Sequence, residues 1–232
     1  MALPVLNETP KYTLTIPSTG KKVKFRPYLI KEEKVLLLAS QNQDLGGIMG
    51  AVLDTIEACV TDPLDRRKLT TFDIEYMFLK IRSKSVGEIA EVGLKCQSDD
   101  CSATTKVGVN LEEIECRKGQ RDKVIQLDEK ISVQMKYPSY SQIEFSDDEQ
   151  ELGFQILASS IEAVMTDEER IDMEEEDPAD VRRFLEQMNR EQFDALSQFI
   201  EDMPQVKEDV NWVCETCGHN NHITLKGMSD FF

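Results

Sequence analysis

Two cysteine pairs carry the most specific chemistry in this chain. Near the end stands VCETCGHNNH, in which Cys214 and Cys217 form a C-x2-C followed by Gly218, with both histidines, His219 and His222, just behind. In the middle, Cys96 and Cys101 form a C-x4-C around the insert QSDD. Zinc takes soft ligands in a tetrahedron, and a tight turn between two strands sets two thiolates side by side. Gly218 supplies the backbone freedom such a knuckle needs. The spacing therefore predicts one structural Zn2+ held by Cys96, Cys101, Cys214 and Cys217, clasping the last hairpin to the middle of the chain. Four cysteine ligands leave no open position, so metal catalysis is not implied. His219 or His222 in place of one sulfur is the variant set. A redox C-x-x-C opens a helix after a strand, whereas HNNHITL reads as strand. Cys59, on an apolar helix face, and Cys116, in EEIECRKG, fall outside both turns.

The elements that must position these residues follow from hydrophobic period and turn chemistry. KYTLTIPSTGKKVKFRPYLI alternates on both sides of Pro17-Ser18-Thr19-Gly20 and predicts a β-hairpin. Helices are expected from about Lys31, from about Gly47 to Val60 after a break at Gly46-Gly47, and after Thr70-Thr71-Phe72-Asp73, which has the form of a capping box. EIAEVGLKC and TTKVGVNL, then KVIQLD and ISVQMKYP, predict two strand pairs, so that 86–137 is mainly β. SQIEFSDDEQELGFQILASSIEAVM is expected to be helical with an interruption near Phe145-Ser146. TDEERIDMEEED is a charged loop or short helix. Asp177-Pro178-Ala179-Asp180 is a strong helix start, and NWVC and NHITLKG flank the last knuckle as strands. The fold class expected is α+β, with β-hairpins and a split zinc ribbon packed with N-terminal and C-terminal helical parts. Along the single unit 1–232, the parts are a hairpin with helices (1–85), a β-rich part (86–137), an acidic helical part (138–205) and the last Cys hairpin (206–232).

Composition narrows the function. Lysine and arginine number 27 against 44 acidic residues, a formal charge of −17. Such a chain is a poor match for phosphate backbones, so no nucleic-acid partner is expected. From Asp147 to Asp177 the only basic residue is Arg170. No apolar run approaches the roughly 18 residues of a membrane span. The start, MALPVLNETPKYTL, lacks the basic and apolar regions of a secretory signal. A reducing cytoplasm is the compartment expected, where cysteines serve as thiols or metal ligands. Phosphate-binding glycine motifs are missing, and two histidines beside the cysteines leave none for a Ser-His-Asp or Cys-His arrangement. An enzyme is not expected.

The stretches LPVLNETPKYTLTIPSTGKKVKFRPYLIKEEKVLLLA and FDIEYMFLKIRSKSVGE, with the Cys pairs that follow, resemble T4-type bacteriophage baseplate hub and hub-assembly proteins. The likeness is dense over about 3–138 and continues more loosely to the last knuckle. It implies a chaperone-like role in building a phage tail baseplate, with hub or spike proteins as partners and no catalytic residues. The place implied is the host cytoplasm during assembly, or the baseplate of the virion. A permanent hub subunit and a zinc-ribbon regulatory protein are the alternatives. The amphipathic helices expected in 139–165 and 178–203 are the surface assigned to partners.

Overall fold

A computed structural model describes residues 10–41, 45–117, 119, 122–143 and 148–231. In chain order the first elements are β1 (Tyr12–Thr15), β2 (Lys22–Phe25), α1 (Ile30–Gln41), α2 (Leu45–Cys59) and α3 (Thr71–Ser85). Then come β3 (Ile89–Lys95), β4 (Thr104–Asn110), β5 (Glu115–Arg117), β6 (Val124–Gln126) and β7 (Ser132–Met135). The rest are α4 (Glu149–Ser159), β8 (Ile161–Met165), β9 (Arg170–Asp172), α5 (Pro178–Glu186), α6 (Arg190–Glu201), β10 (Gln205–Val213) and β11 (Asn220–Lys226). Mixed helices and antiparallel sheets make this an α+β protein. The chain gathers into two compact units, one formed by 1–66, 71–117 and 205–232, the other by 67–70 and 118–204.

In the first unit β1 and β2 pair as the expected hairpin, with Tyr12 opposite Phe25. Gly20 takes the left-handed conformation (φ 69°) that its turn requires. The Asp73 carboxylate, completely buried at the start of α3, accepts from the Ser18 N–H at 2.9 Å and ties the hairpin turn to that helix. Helix α2 begins at Leu45 and runs through Gly46 and Gly47, so the glycine pair lies inside the helix rather than at a break. Its pairing of Ile56 and Cys59 with the buried face follows the apolar spacing of the sequence. Strand β3 alternates strictly, with Ala90, Val92 and Leu94 inward, and pairs with β4 along its whole length. A three-stranded antiparallel sheet has the order β11-β10-β5. Leu79 of α3, Val92, Val109, Leu111, Trp212 and Leu225 meet in one core, which is what holds the cysteine-bearing strands in place.

The second unit is a four-stranded antiparallel sheet, β6-β7-β8-β9, with α4, α5 and α6. Val133, Met135, Leu157, Ile161, Leu196 and Phe199 lie at its centre. Asp177 caps α5 by accepting from the Ala179 N–H at 2.8 Å, with Pro178 as the first helical residue. Asn189 and Gln192 cap α6 reciprocally. Here the structure departs from the helix expected over 139–165. Tyr140–Gln142 is a single 3-10 turn, α4 stops at Ser159, and Ile161–Met165 is a strand. Ser160, wholly buried, stands at the end of α4, and its hydroxyl donates to the Ile156 carbonyl at 2.7 Å. The next residues alternate their side chains across a sheet, and β8 pairs with β7 and β9 on its two sides. The charged run also holds a short strand, β9, rather than only a loop or helix. The interruption expected at Phe145-Ser146 lies outside the described residues.

Candidate metal centre

The cysteines sit in the two turns that close the β3–β4 and β10–β11 hairpins. Cys96 follows β3 and Cys101 lies in the turn before β4; Cys214 follows β10 and Cys217 precedes β11. The two hairpins thus offer two sulfurs apiece. In the first, the Cys96 N–H donates to the Ala103 carbonyl at 2.9 Å and the Cys101 N–H to the Ser98 carbonyl at 3.0 Å. In the second, the Cys214 N–H donates to the His219 carbonyl and the Gly218 N–H to the Cys214 carbonyl, each at 2.9 Å. Gly218 adopts φ 74°, the left-handed conformation that lets the chain fold back this tightly.

All four Sγ atoms lie within 4.8 Å of one another. The closest approaches cross between hairpins, Cys96 to Cys217 at 3.6 Å and Cys101 to Cys214 at 3.8 Å. A disulfide needs an S–S distance of about 2.05 Å, and all six cysteines are free thiols. A tetrahedron with metal–sulfur bonds of about 2.3 Å has edges of about 3.8 Å. The sulfur spacing is therefore that of a four-coordinate metal shell, and the cluster is a candidate metal centre.

Electrostatics inside the cluster favour a cation. The Cys217 and Thr216 N–H groups point at the Cys214 sulfur and, against the opposing effect of desolvation, draw its thiol down to about 6. At Cys217 the His219 N–H acts in the same sense, but desolvation and the sulfurs of Cys96, Cys101 and Cys214 outweigh it and push that thiol up to about 12. The Cys214 thiolate thus forms easily and Cys217 resists. A bound dication removes that resistance, because a coordinating thiol is deprotonated outright. Asp99, Asp100 and Glu215, all exposed and next to the cysteines in sequence, add negative charge that a dication also relieves.

Sequence spacing leaves out what holds the two tips together beside the sulfurs. Gln97 grips the second hairpin three times. Its N–H donates to Asn221 Oδ1 at 2.7 Å, its side-chain amide donates to the His222 carbonyl at 2.8 Å, and its side-chain oxygen accepts from the His222 N–H at 3.2 Å. Asn221, itself buried, donates to the His219 carbonyl at 2.9 Å. The only sequence signal for these partners is that Gln97 follows Cys96. His222 Nδ1 donates to Asn211 Oδ1 at 2.9 Å, across the β10–β11 ladder. Among the described residues the cluster of ligand atoms contains the four sulfurs and neither imidazole. Cys116 lies in β5 opposite Val206, and burial pushes its thiol up to about 12. Cys59 is buried at the end of α2, which raises it to about 11. Both are packed thiols outside the cluster.

No curated protein and no solved structure matches this chain. One family model does, described as T4 bacteriophage base plate protein, over residues 9–232. With nearly the whole sequence matched, both cysteine hairpins included, the chain belongs to the T4 bacteriophage base plate protein family.

Proposed function

We propose that this protein is a non-enzymatic assembly factor for the phage baseplate hub, working through protein–protein contacts, with one zinc ion closing a split ribbon of Cys96, Cys101, Cys214 and Cys217. The observation that carries the metal part is the closed set of four sulfurs within 4.8 Å. An all-sulfur tetrahedron suits zinc or iron, and with no position left for substrate the ion acts as a fastener. Family membership supports partners within the baseplate, hub or spike proteins above all.

The acidic second unit supports the mode of contact. Asp167, Glu168, Glu169, Glu175 and Glu176 are exposed and form no ion pair among the described residues. The one cation of the run, Arg170, is already engaged by Asp172 at 2.8 Å and Glu162 at 3.4 Å. Apart from Glu174, paired with Lys136 at 2.8 Å, the run is left anionic, suited to screening a basic patch on an unassembled partner and to steering its approach. A permanent hub subunit is the second reading, favoured by the family's description as a base plate protein.

Two measurements separate these. Affinity purification from infected cells identifies the partner; on the proposed reading, Glu174, Glu175 and Glu176 exchanged for lysine lose that partner at low salt. Mass spectrometry of finished virions then decides the role. Absence supports an assembly factor, and stoichiometric presence supports a subunit. Retention of the partner by the charge-reversed protein at low salt refutes the electrostatic contact.

A further inference from the structure

Helix α1, IKEEKVLLLASQ, is apolar on two opposite sides. Its inner side packs along α2. There Glu32 is buried and its carboxylate accepts from Arg26 Nη2 at 2.9 Å and from the Leu29 N–H at 2.8 Å, so the only charge on that side is paired. The outer side is the unusual one. Ile30, Leu37, Leu38 and Val35 are 78%, 58%, 53% and 47% exposed. At about 100° per residue these four span an arc of roughly 160° around the helix. Surface helices turn polar residues outward, and a helix that is apolar all round is normally covered. The remaining exposed large apolar side chains away from this helix, Val86, Ile89, Val124 and Val213, are scattered along strands and turns, which is ordinary.

Two cations lie within the same arc. Lys31 is exposed and reaches Glu32 Oε1 at 3.3 Å. Lys34 is exposed and has no ion-pair partner among the described residues, in a chain of net charge −17. We propose that the outer face of α1 is a docking surface for a partner protein presenting an apolar helix or groove edged with carboxylates. The charge pattern selects that occupant over a second copy of the chain. Antiparallel packing of α1 on itself brings the two copies' Lys34 to one seam, and the outer arc holds no carboxylate to meet them, which is repulsive. A carboxylate edge instead gives Lys34 an ion-pair partner, which it lacks among the described residues. This surface is separate from the acidic face of the second unit and stands whether or not that face binds anything.

The test uses the full chain and two fluorescein-labelled amphipathic peptides, alike in a leucine face and edged with glutamate in one and lysine in the other. The expected result is saturable binding of the glutamate-edged peptide, at least tenfold tighter than the lysine-edged one in low salt. Hydrogen exchange should slow within 30–41. Leu37→Ser with Leu38→Ser should weaken binding tenfold or more, and Lys34→Glu should reverse the preference between peptides. All three positions are exposed, and the fluorescence of Trp212, the single tryptophan, confirms that each variant is folded. Equal affinity for both peptides, binding of neither, or protection elsewhere in the chain overturns the proposal. So does concentration-dependent dimerisation that Leu38→Asp abolishes, since that gives the face to a second copy.

Discussion

Withdrawing the zinc proposed for the four-sulfur cluster is the sharpest perturbation to apply, and its size follows from chain connectivity. One sulfur pair across the cluster is separated by 113 positions in sequence. A cross-link closing a loop of that length removes unfolded-state entropy worth about 5 kcal/mol at 25 °C. Domains of this size are stable by only about 5–15 kcal/mol in all, so the apo form should be marginal rather than merely softened. With a loss of about 2–4 °C per kcal/mol, the first unit should melt roughly 10–20 °C lower after chelation. Trp212 reports it directly, because it is the single tryptophan, packs in the same core and lies two residues before Cys214. The assay pairs this melting curve with elemental analysis, which should find about one zinc per chain in the purified protein and none after chelation. Cys96→Ser should reproduce the chelated state. Cys116→Ser should leave metal content unchanged, because that thiol lies in β5 outside the cluster. A folded, metal-free protein with an unaltered melting temperature would refute the reasoning.

Two carboxylates give pH signatures of opposite sign. Burial raises Glu75, with the Met228 N–H opposing and Asp230 reinforcing. Its favourable contribution is therefore full below the unfolded value of about 4.3 and is lost as pH rises through the raised folded value. Glu75→Gln should accordingly gain on the wild type in melting temperature between pH 4 and pH 7, and a difference that stays constant with pH would contradict this. Glu32 behaves in reverse: burial alone would raise it, but hydrogen bonds from Arg26, the Leu29 N–H and Lys31 outweigh that and hold it below the usual carboxylate range. Its contribution is present above the unfolded value and lost as pH falls through the depressed folded value. Glu32→Gln should cost about 1–3 kcal/mol at pH 7 in urea unfolding, with the deficit shrinking in acid.

The hairpin 12–25 and the strand β3 are legible because each alternates strictly with one buried face and one wet face. The four cysteines are legible because soft ligands at short spacing beside turns have few other uses. The strand β8 was not. ILASSIEAVM is apolar but for Ser159, Ser160 and Glu162, and so short an apolar-rich run reads as helix or buried strand alike. What distinguishes the strand is its pairing with β7 and β9, a tertiary contact no periodicity reveals. The bonds of Gln97 to Asn221 and His222 were equally hidden, since partners more than 120 positions apart leave no local trace. For α1 the sequence shows apolar residues on opposite sides but not which side α2 covers.

The long gap between cysteine pairs, odd in sequence, becomes ordinary once the topology is laid out. The chain departs for the second unit after Arg117 and returns at Gln205, and these two residues are register partners in the β5–β10 ladder. Of the 113 positions between Cys101 and Cys214, the insert 118–204 accounts for 87, leaving 113 − 87 = 26. That is close to the spacing between pairs in compact four-cysteine metal sites. The same strand joins both features, since β10 starts beside β5 at the insert junction and ends one residue before Cys214. Its middle is fixed by Val206, Val210 and Trp212 in the core. While the β5–β10 ladder holds, a metal there would close a loop of only about 25 residues, worth about 3–4 kcal/mol, and the figure of about 5 applies to the fully unfolded chain. A metal held by the four sulfurs would thus be one of two fasteners on a single strand. The ladder holds the end where the insert begins, and the sulfurs hold the end where the chain turns back.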